Sequence, residues 1–114
     1  MCIRDSEGPV SISKRGQIGL KEGHILSNEP GYYEEGQFGI RHETLVHVTA
    51  AHKGYLKFET LTCFPFDRQP IDKAYLSSEH IAWLNVYHQS VYERLAPHLE
   101  TDVKLWLADR CAPL

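Results

Sequence analysis

The rhythm of apolar and polar positions changes partway along the chain. Up to residue 65 the apolar residues alternate in short runs punctuated by glycine. From Asp72 onward glycine is absent, and apolar residues recur three and four positions apart. Alternation with period two belongs to strands with one buried face, and spacing near 3.6 belongs to amphipathic helices. The pattern therefore predicts a strand-rich front and a helical tail, an α+β arrangement. There is no internal repeat and no low-complexity tract.

Residues 24–28 (HILSN) read as a short extended run. Lys21-Glu22-Gly23 turns the chain before it and Glu29-Pro30-Gly31 breaks it, since proline fixes φ and glycine permits positive φ. A second turn is expected at residues 34–37. A long strand is expected from residue 38 to about 49, with Ile40, His42, Thr44, Val46 and Val48 on one face and Arg41, Glu43, Leu45 and His47 on the other. After a connection at 50–54, residues 55–64 read as its antiparallel hairpin partner, and Pro65 and Pro70 close the region. Ser77 is the expected N-cap of a helix, with Glu79 in the first turn, where a carboxylate suits the helix dipole. Ile81, Leu84, Val91 and Leu95 form its apolar stripe, widened by Trp83 and Tyr87, and Pro97 ends it. Thr101 is expected to cap a second helix that buries Val103, Trp106 and Leu107.

The length of 114 residues limits the chain to one domain's worth of structure. Twelve Lys and Arg against fifteen Asp and Glu give a net charge of -3, which argues against a basic nucleic-acid footprint and a polybasic membrane patch. No apolar run approaches the roughly 20 residues of a membrane span, and MCIRDSEGPV has no apolar stretch of secretory type. Cys2, Cys63 and Cys111 are odd in number, far apart and form no CxxC. They fit neither a disulfide framework nor a zinc knuckle, and a reducing, cytoplasmic compartment is expected.

Two carboxylates stand out by context. Glu29 ends a strand against Pro30-Gly31, and Glu43 interrupts a mostly apolar strand. A strand–turn–strand excursion can bring both to one place. Converging carboxylates suit a hard or borderline divalent cation. The plainer alternative pairs Glu43 with Arg41 and leaves Glu29 as a solvated turn residue. His42 and His47 do not make a zinc-protease motif, which needs histidines at i and i+4 on one helical face. His80 and His88 read as surface or packing residues. Tyr75, Trp83, Tyr87, Tyr92 and Trp106 read as core or a subunit interface, and Asp67-Arg68 as solvated loop charges. No nucleophile elbow, phosphate loop or dinucleotide fingerprint is present.

Three blocks carry a family resemblance: LKEGHILSNEPGYY from Leu20, FGIRHETLV from Phe38 and LKFETLT from Leu56. With Ile71-Asp72, WLNVYH from Trp83 and LAPHL from Leu95, they resemble the Xaa-Pro aminopeptidases (aminopeptidase P). These belong to the pita-bread metallopeptidases, with prolidase, methionine aminopeptidase and creatinase. The resemblance implies the C-terminal part of a pita-bread domain. Residues 7–66 would be an antiparallel curved sheet and 67–114 a helical extension, with residues 1–6 an extraneous start. It implies two divalent metals, manganese before zinc or cobalt, held by two Asp, one His and two Glu. The two Glu fall on Glu29 and Glu43. Glu29 would also shuttle the proton of a metal-bridging water, Glu43 would bridge the metals, and Arg41 would orient it. The implied substrate is a peptide with proline at the second position, and the implied assembly is a homodimer.

The same resemblance places the Asp and His ligands upstream of this chain, so the isolated chain is expected to be inactive. Ser6 stands where the family has a histidine, His24 where it has Met and Thr44 where it has Asn. A prolidase-type dipeptidase, a metal-free pita-bread binding module and an interaction domain built on the aromatic tail are the alternative readings.

Overall fold

A computed structural model describes residues 10, 12 and 16–114. The expectations for residues 1–6, Ser6 included, and for Cys2 lie outside the described residues. The chain divides into two compact units, Met1–Thr62 and Cys63–Leu114.

Among its described residues the first unit holds five strands: β1 (Ile25–Asn28), β2 (Gly31–Glu34), β3 (Phe38–Arg41), β4 (Thr44–Ala50) and β5 (Leu56–Thr60). They form two antiparallel sheets, one of order β1-β4-β5 and one pairing β2 with β3. The expected single strand across residues 38–49 is therefore two strands in two sheets, broken at His42-Glu43. The apolar alternation runs through the break, which is why the pattern alone hides it. Beyond it the expected inner face holds: Thr44, Val46 and Val48 are buried. Leu26 lies opposite Val46 and completes a small core, against which Val10, Ile12 and Leu20 pack. The hairpin of β4 and β5 forms as expected, with Val46 opposite Thr60 and Val48 opposite Phe58. Its second strand stops short of the predicted residue 64. Leu61 N–H still donates to Leu45 O at 2.8 Å, and the Thr62 hydroxyl accepts from Leu45 N–H at 2.8 Å.

The second unit holds α1 (Ser78–Leu95) and α2 (Thr101–Arg110). Ser77 caps α1 as predicted, its hydroxyl accepting from His80 N–H at 3.2 Å. Leu84, Tyr87, His88 and Val91 are the buried stripe of α1. The helix ends at Leu95, and a single 3-10 turn carrying Pro97 follows. The second helix buries Leu107 as expected and departs from expectation in two ways, its N-cap and the exposure of the other two expected core residues. Glu100, not Thr101, is its N-cap residue. Leu107 is its one buried residue, at 1% exposure. Val103 and Trp106 remain 42% and 45% exposed. A ten-residue helix touching its neighbour along one narrow stripe has room for one deep anchor, so the other apolar positions stay outside. Leu107 packs with Tyr87, Val91 and Cys111, flanked by Cys63, Phe66, Tyr92, Leu95 and Leu99.

Two polar residues in this unit have structural duties that their sequence context concealed. Arg68, expected to be a solvated loop charge, donates to the carbonyls of Asp109 at 2.6 Å and Ala112 at 2.9 Å. It satisfies the end of α2, where orphan carbonyls and the negative helix pole favour a cation. His88 is fully buried, and its Nε2 accepts from Phe66 N–H at 3.2 Å. The ring proton therefore sits on Nδ1, which has no hydrogen-bond partner among the described residues.

The packing difference between Leu107 and Val103 is testable. Leu107→Ala should lower unfolding free energy by about 2–5 kcal/mol, and Val103→Ala should leave it nearly unchanged, as read by urea denaturation. Equal losses would contradict the packing described. A second test concerns His88, whose pKa burial pushes below 6.5, with the nearby Arg68 charge adding to the effect. A base with a depressed folded pKa binds more protons when unfolded. Stability is then complete above pH 6.5 and declines as the pH falls from there toward the lowered folded value. The urea midpoint of the wild type should drop across that window relative to His88→Gln. Parallel curves for the two proteins would contradict the neutral buried imidazole.

Candidate functional site

The hairpin of β2 and β3 builds the site. Its register sets Tyr33 opposite Gly39, with Gly31 and Arg41 on the same face. Neither glycine carries a Cβ, and the Tyr33 ring lies across the space that both leave. A Cβ on Gly31 would meet the Tyr33 hydroxyl at 2.7 Å, and one on Gly39 would meet Tyr33 Cδ1 at 2.7 Å. The turn at residues 35–37 closes through Gly36 at φ 71°, the left-handed region glycine adopts without strain. On the opposite face Tyr32 and Phe38 lie 5.9 Å apart between ring centroids.

The ring so placed fixes Arg41. Arg41 Nε donates to the Tyr33 hydroxyl at 2.6 Å, and the guanidinium carbon lies 5.7 Å from the ring centroid. Arg41 Nη1 donates to Oε2 of Glu29. The other oxygen of Glu29 accepts from the Ser27 hydroxyl at 2.7 Å. Glu29 is buried at 9% exposure, so its charge is met on both oxygens. The hydrogen bond to Tyr33 holds the Arg41 pKa above its ordinary value, and the charges of Glu29 and Glu43 add to that.

Sequence reasoning named these three residues, and the structure arranges them differently from the plain alternative. Glu29 is not a solvated turn residue, and the bond from Arg41 goes to Glu29, not to Glu43. Glu43 is exposed and lies in the break between β3 and β4, not inside a strand. It acts on Arg41 through its field alone. Tyr33 and Ser27 were missed. The signal for Tyr33 was available, because two glycines flank it on the same face of the hairpin. A hollow of about 360 Å³ is lined by Pro30, Gly31, Tyr32, Ile40 and His42, residues that adjoin both glutamates in the chain.

The donor chemistry suits a hard divalent cation in kind. Each oxygen of Glu29 accepts one hydrogen bond and keeps lone-pair capacity, and Glu43 is exposed and acidic. Glu29 and Glu43 are nevertheless a partial donor set. Among the described residues no group of three or more His, Cys, Asp and Glu could hold a metal ion.

The dependence of Arg41 on the glycine gap can be checked. Gly39→Ala forces the Tyr33 ring aside and should destabilise the chain by about 1–3 kcal/mol. Gly19→Ala, with nothing within 4 Å of the new Cβ, serves as the neutral control. Equal thermal midpoints for the two variants would contradict the arrangement.

Comparison with known proteins places the hairpin and the helical unit in one family. A model of metallopeptidase family M24 matches residues 1–50, and a model of the C-terminal region of peptidase M24 matches residues 54–114. Aminopeptidase P2 of Arabidopsis thaliana is 44% identical over 95% of this chain. A probable Xaa-Pro aminopeptidase P of Coprinopsis cinerea is 39% identical over 95%. The crystal structure of X-prolyl aminopeptidase from Caenorhabditis elegans, described as a cytosolic enzyme with a di-nuclear active site, superposes with a TM-score of 0.79 at 35% identity over 94% of this chain. The chain spans 17% of the Arabidopsis relative and 19% of each of the other two. Its antiparallel sheets followed by two helices match part of a pita-bread aminopeptidase fold. The chain belongs to metallopeptidase family M24, whose C-terminal region it carries.

Proposed function

We propose that the chain is the C-terminal part of a metal-dependent Xaa-Pro aminopeptidase, which releases the first residue of peptides with proline second. The observation that carries this reading is the buried Glu29 carboxylate, oriented by Ser27 and Arg41 on a scaffold whose relatives bear that name. Glu29 and Glu43 would hold two divalent cations, manganese first, with the remaining ligands supplied from outside this chain. When bound, such cations supply Lewis-acid activation of a water near neutral pH.

The chain's own residues do the positioning. Ser27 and Arg41 fix the Glu29 carboxylate from its two sides, so that it can hold or pass a proton in one orientation. Arg41 is a positioning residue, held in turn by Tyr33. The charges of both glutamates act on its guanidinium. The hollow lined by Pro30, Tyr32, Ile40 and His42 offers a largely apolar seat beside the carboxylates. On this reading the assembled enzyme is cytosolic and homodimeric. The isolated chain, with two of the five ligands, does not turn over substrate.

A chimera tests the proposal. Residues 7–114 replace the matching segment of the Arabidopsis relative, and release of the first residue from an Xaa-Pro peptide is followed with manganese. The chimera should be active, Glu29→Ala and Glu43→Ala should each abolish turnover and metal retention, and Arg41→Ala should cost about 10- to 100-fold in metal affinity. Unchanged activity in either glutamate variant would overturn the ligand assignment. Turnover by the isolated chain that Glu29→Ala abolishes would overturn the expectation of inactivity.

A further inference from the structure

The helical unit gathers two cysteines around one core. Cys111 is the C-cap residue of α2 and lies at 8% exposure in the cluster of Tyr87, Val91 and Leu107. Cys63 opens the unit and packs, half-buried, against the same cluster. Both are free thiols. They are also within electrostatic reach of each other. Burial pushes the Cys111 thiol up, and Cys63 pushes it in the same direction, against the opposing charge of Arg68. Tyr87, whose hydroxyl donates to Phe64 O at 2.9 Å, feels both cysteines.

We infer that Cys63 and Cys111 are a redox-sensitive pair, which closes into a reversible disulfide when the chain meets a small-molecule disulfide such as oxidised glutathione. The more exposed Cys63 reacts first. Its thiolate attacks one sulfur of the oxidant, the oxidant's S–S bond breaks, and one small thiolate leaves. Cys111 then gives its proton to solvent and attacks the Cys63 sulfur, displacing the second small thiolate. Two protein thiols are oxidised, one small disulfide is reduced to two thiols, and the protons balance through water. The bond ties the end of α2 to the segment entering the helical unit. It closes a long loop and so restricts the unfolded chain.

The test uses the full chain with its three cysteines. Native and urea-unfolded samples are treated with oxidised glutathione, alkylated, digested and mapped by mass spectrometry. In the native sample the thiols of Cys63 and Cys111 should both be lost, with a peptide linking Cys63 to Cys111 as the main product joining two cysteines. Dithiothreitol should restore both thiols, and the oxidised chain should melt at a higher temperature than the reduced one. The unfolded sample should spread its links over all cysteine pairs. A lasting glutathione adduct on Cys63 with Cys111 still alkylated would overturn the inference. So would both Cys63 and Cys111 remaining alkylated in the native sample, or native links that mirror the unfolded mixture. Cys63→Ser and Cys111→Ser should each prevent the link. Serine at the buried position can disturb the core, so the wild-type map decides.

Discussion

A carboxylate with little access to water needs its charge met locally, and the β2–β3 hairpin is organised around meeting it at Glu29. The counter-charge comes from Arg41, on the strand returning from the turn. Arginine is flexible, and a guanidinium free to wander would hold Glu29 poorly. The hairpin removes that freedom by leaving two positions without side chains and laying Tyr33 across them. The ring and its hydroxyl then hold the guanidinium from two directions. Orientation at Glu29 is thus set by an absence of atoms at Gly31 and Gly39, transmitted through one aromatic ring.

This dependence explains which parts of the site were readable in the sequence. The acidic residues were visible because each is out of place, one against Pro30-Gly31 and the other among apolar neighbours. The resemblance carried their roles. The partner of Arg41 was not visible, because proximity in sequence favours Glu43, whereas the hairpin register brings Arg41 back beside Glu29. Cross-strand neighbours depend on register, and register depends on the turn. The break at His42-Glu43 was hidden for a related reason. A period-two pattern survives a change of sheet when both strands keep the same parity, so periodicity sees one long strand.

In the helical unit the cap and the end of α1 were legible, whereas the cap of α2 and much of the burial were not. Ser77 and Pro97 act locally, and their chemistry fixes helix ends without reference to anything distant. Burial depends on how much of each stripe finds a partner. For α1 the expected Leu84, Tyr87 and Val91 are inside, Ile81 and Leu95 are half-buried and Trp83 is exposed; for α2 only Leu107 is inside. His88 shows the limit of residue-type reasoning. An imidazole can pass for a packing residue when one nitrogen serves a backbone N–H, as Nε2 does for Phe66, and nothing in the surrounding sequence announces that N–H.

Arg68 gives the last turn of α2 a different standing from an ordinary chain end. Terminal turns commonly fray, because their carbonyls trade protein partners for water at little cost. Here those carbonyls are bound by a guanidinium more than forty residues earlier in the chain. Releasing them frees a charged group from its hydrogen bonds as well as the helix end. Opening at Asp109–Ala112 should therefore be coupled to loss of order around Arg68, and the amide hydrogens of the two segments are expected to exchange together. The contact is also non-local, so it forms only after a long loop has closed. The end of α2 is then expected to lock only once that loop has closed.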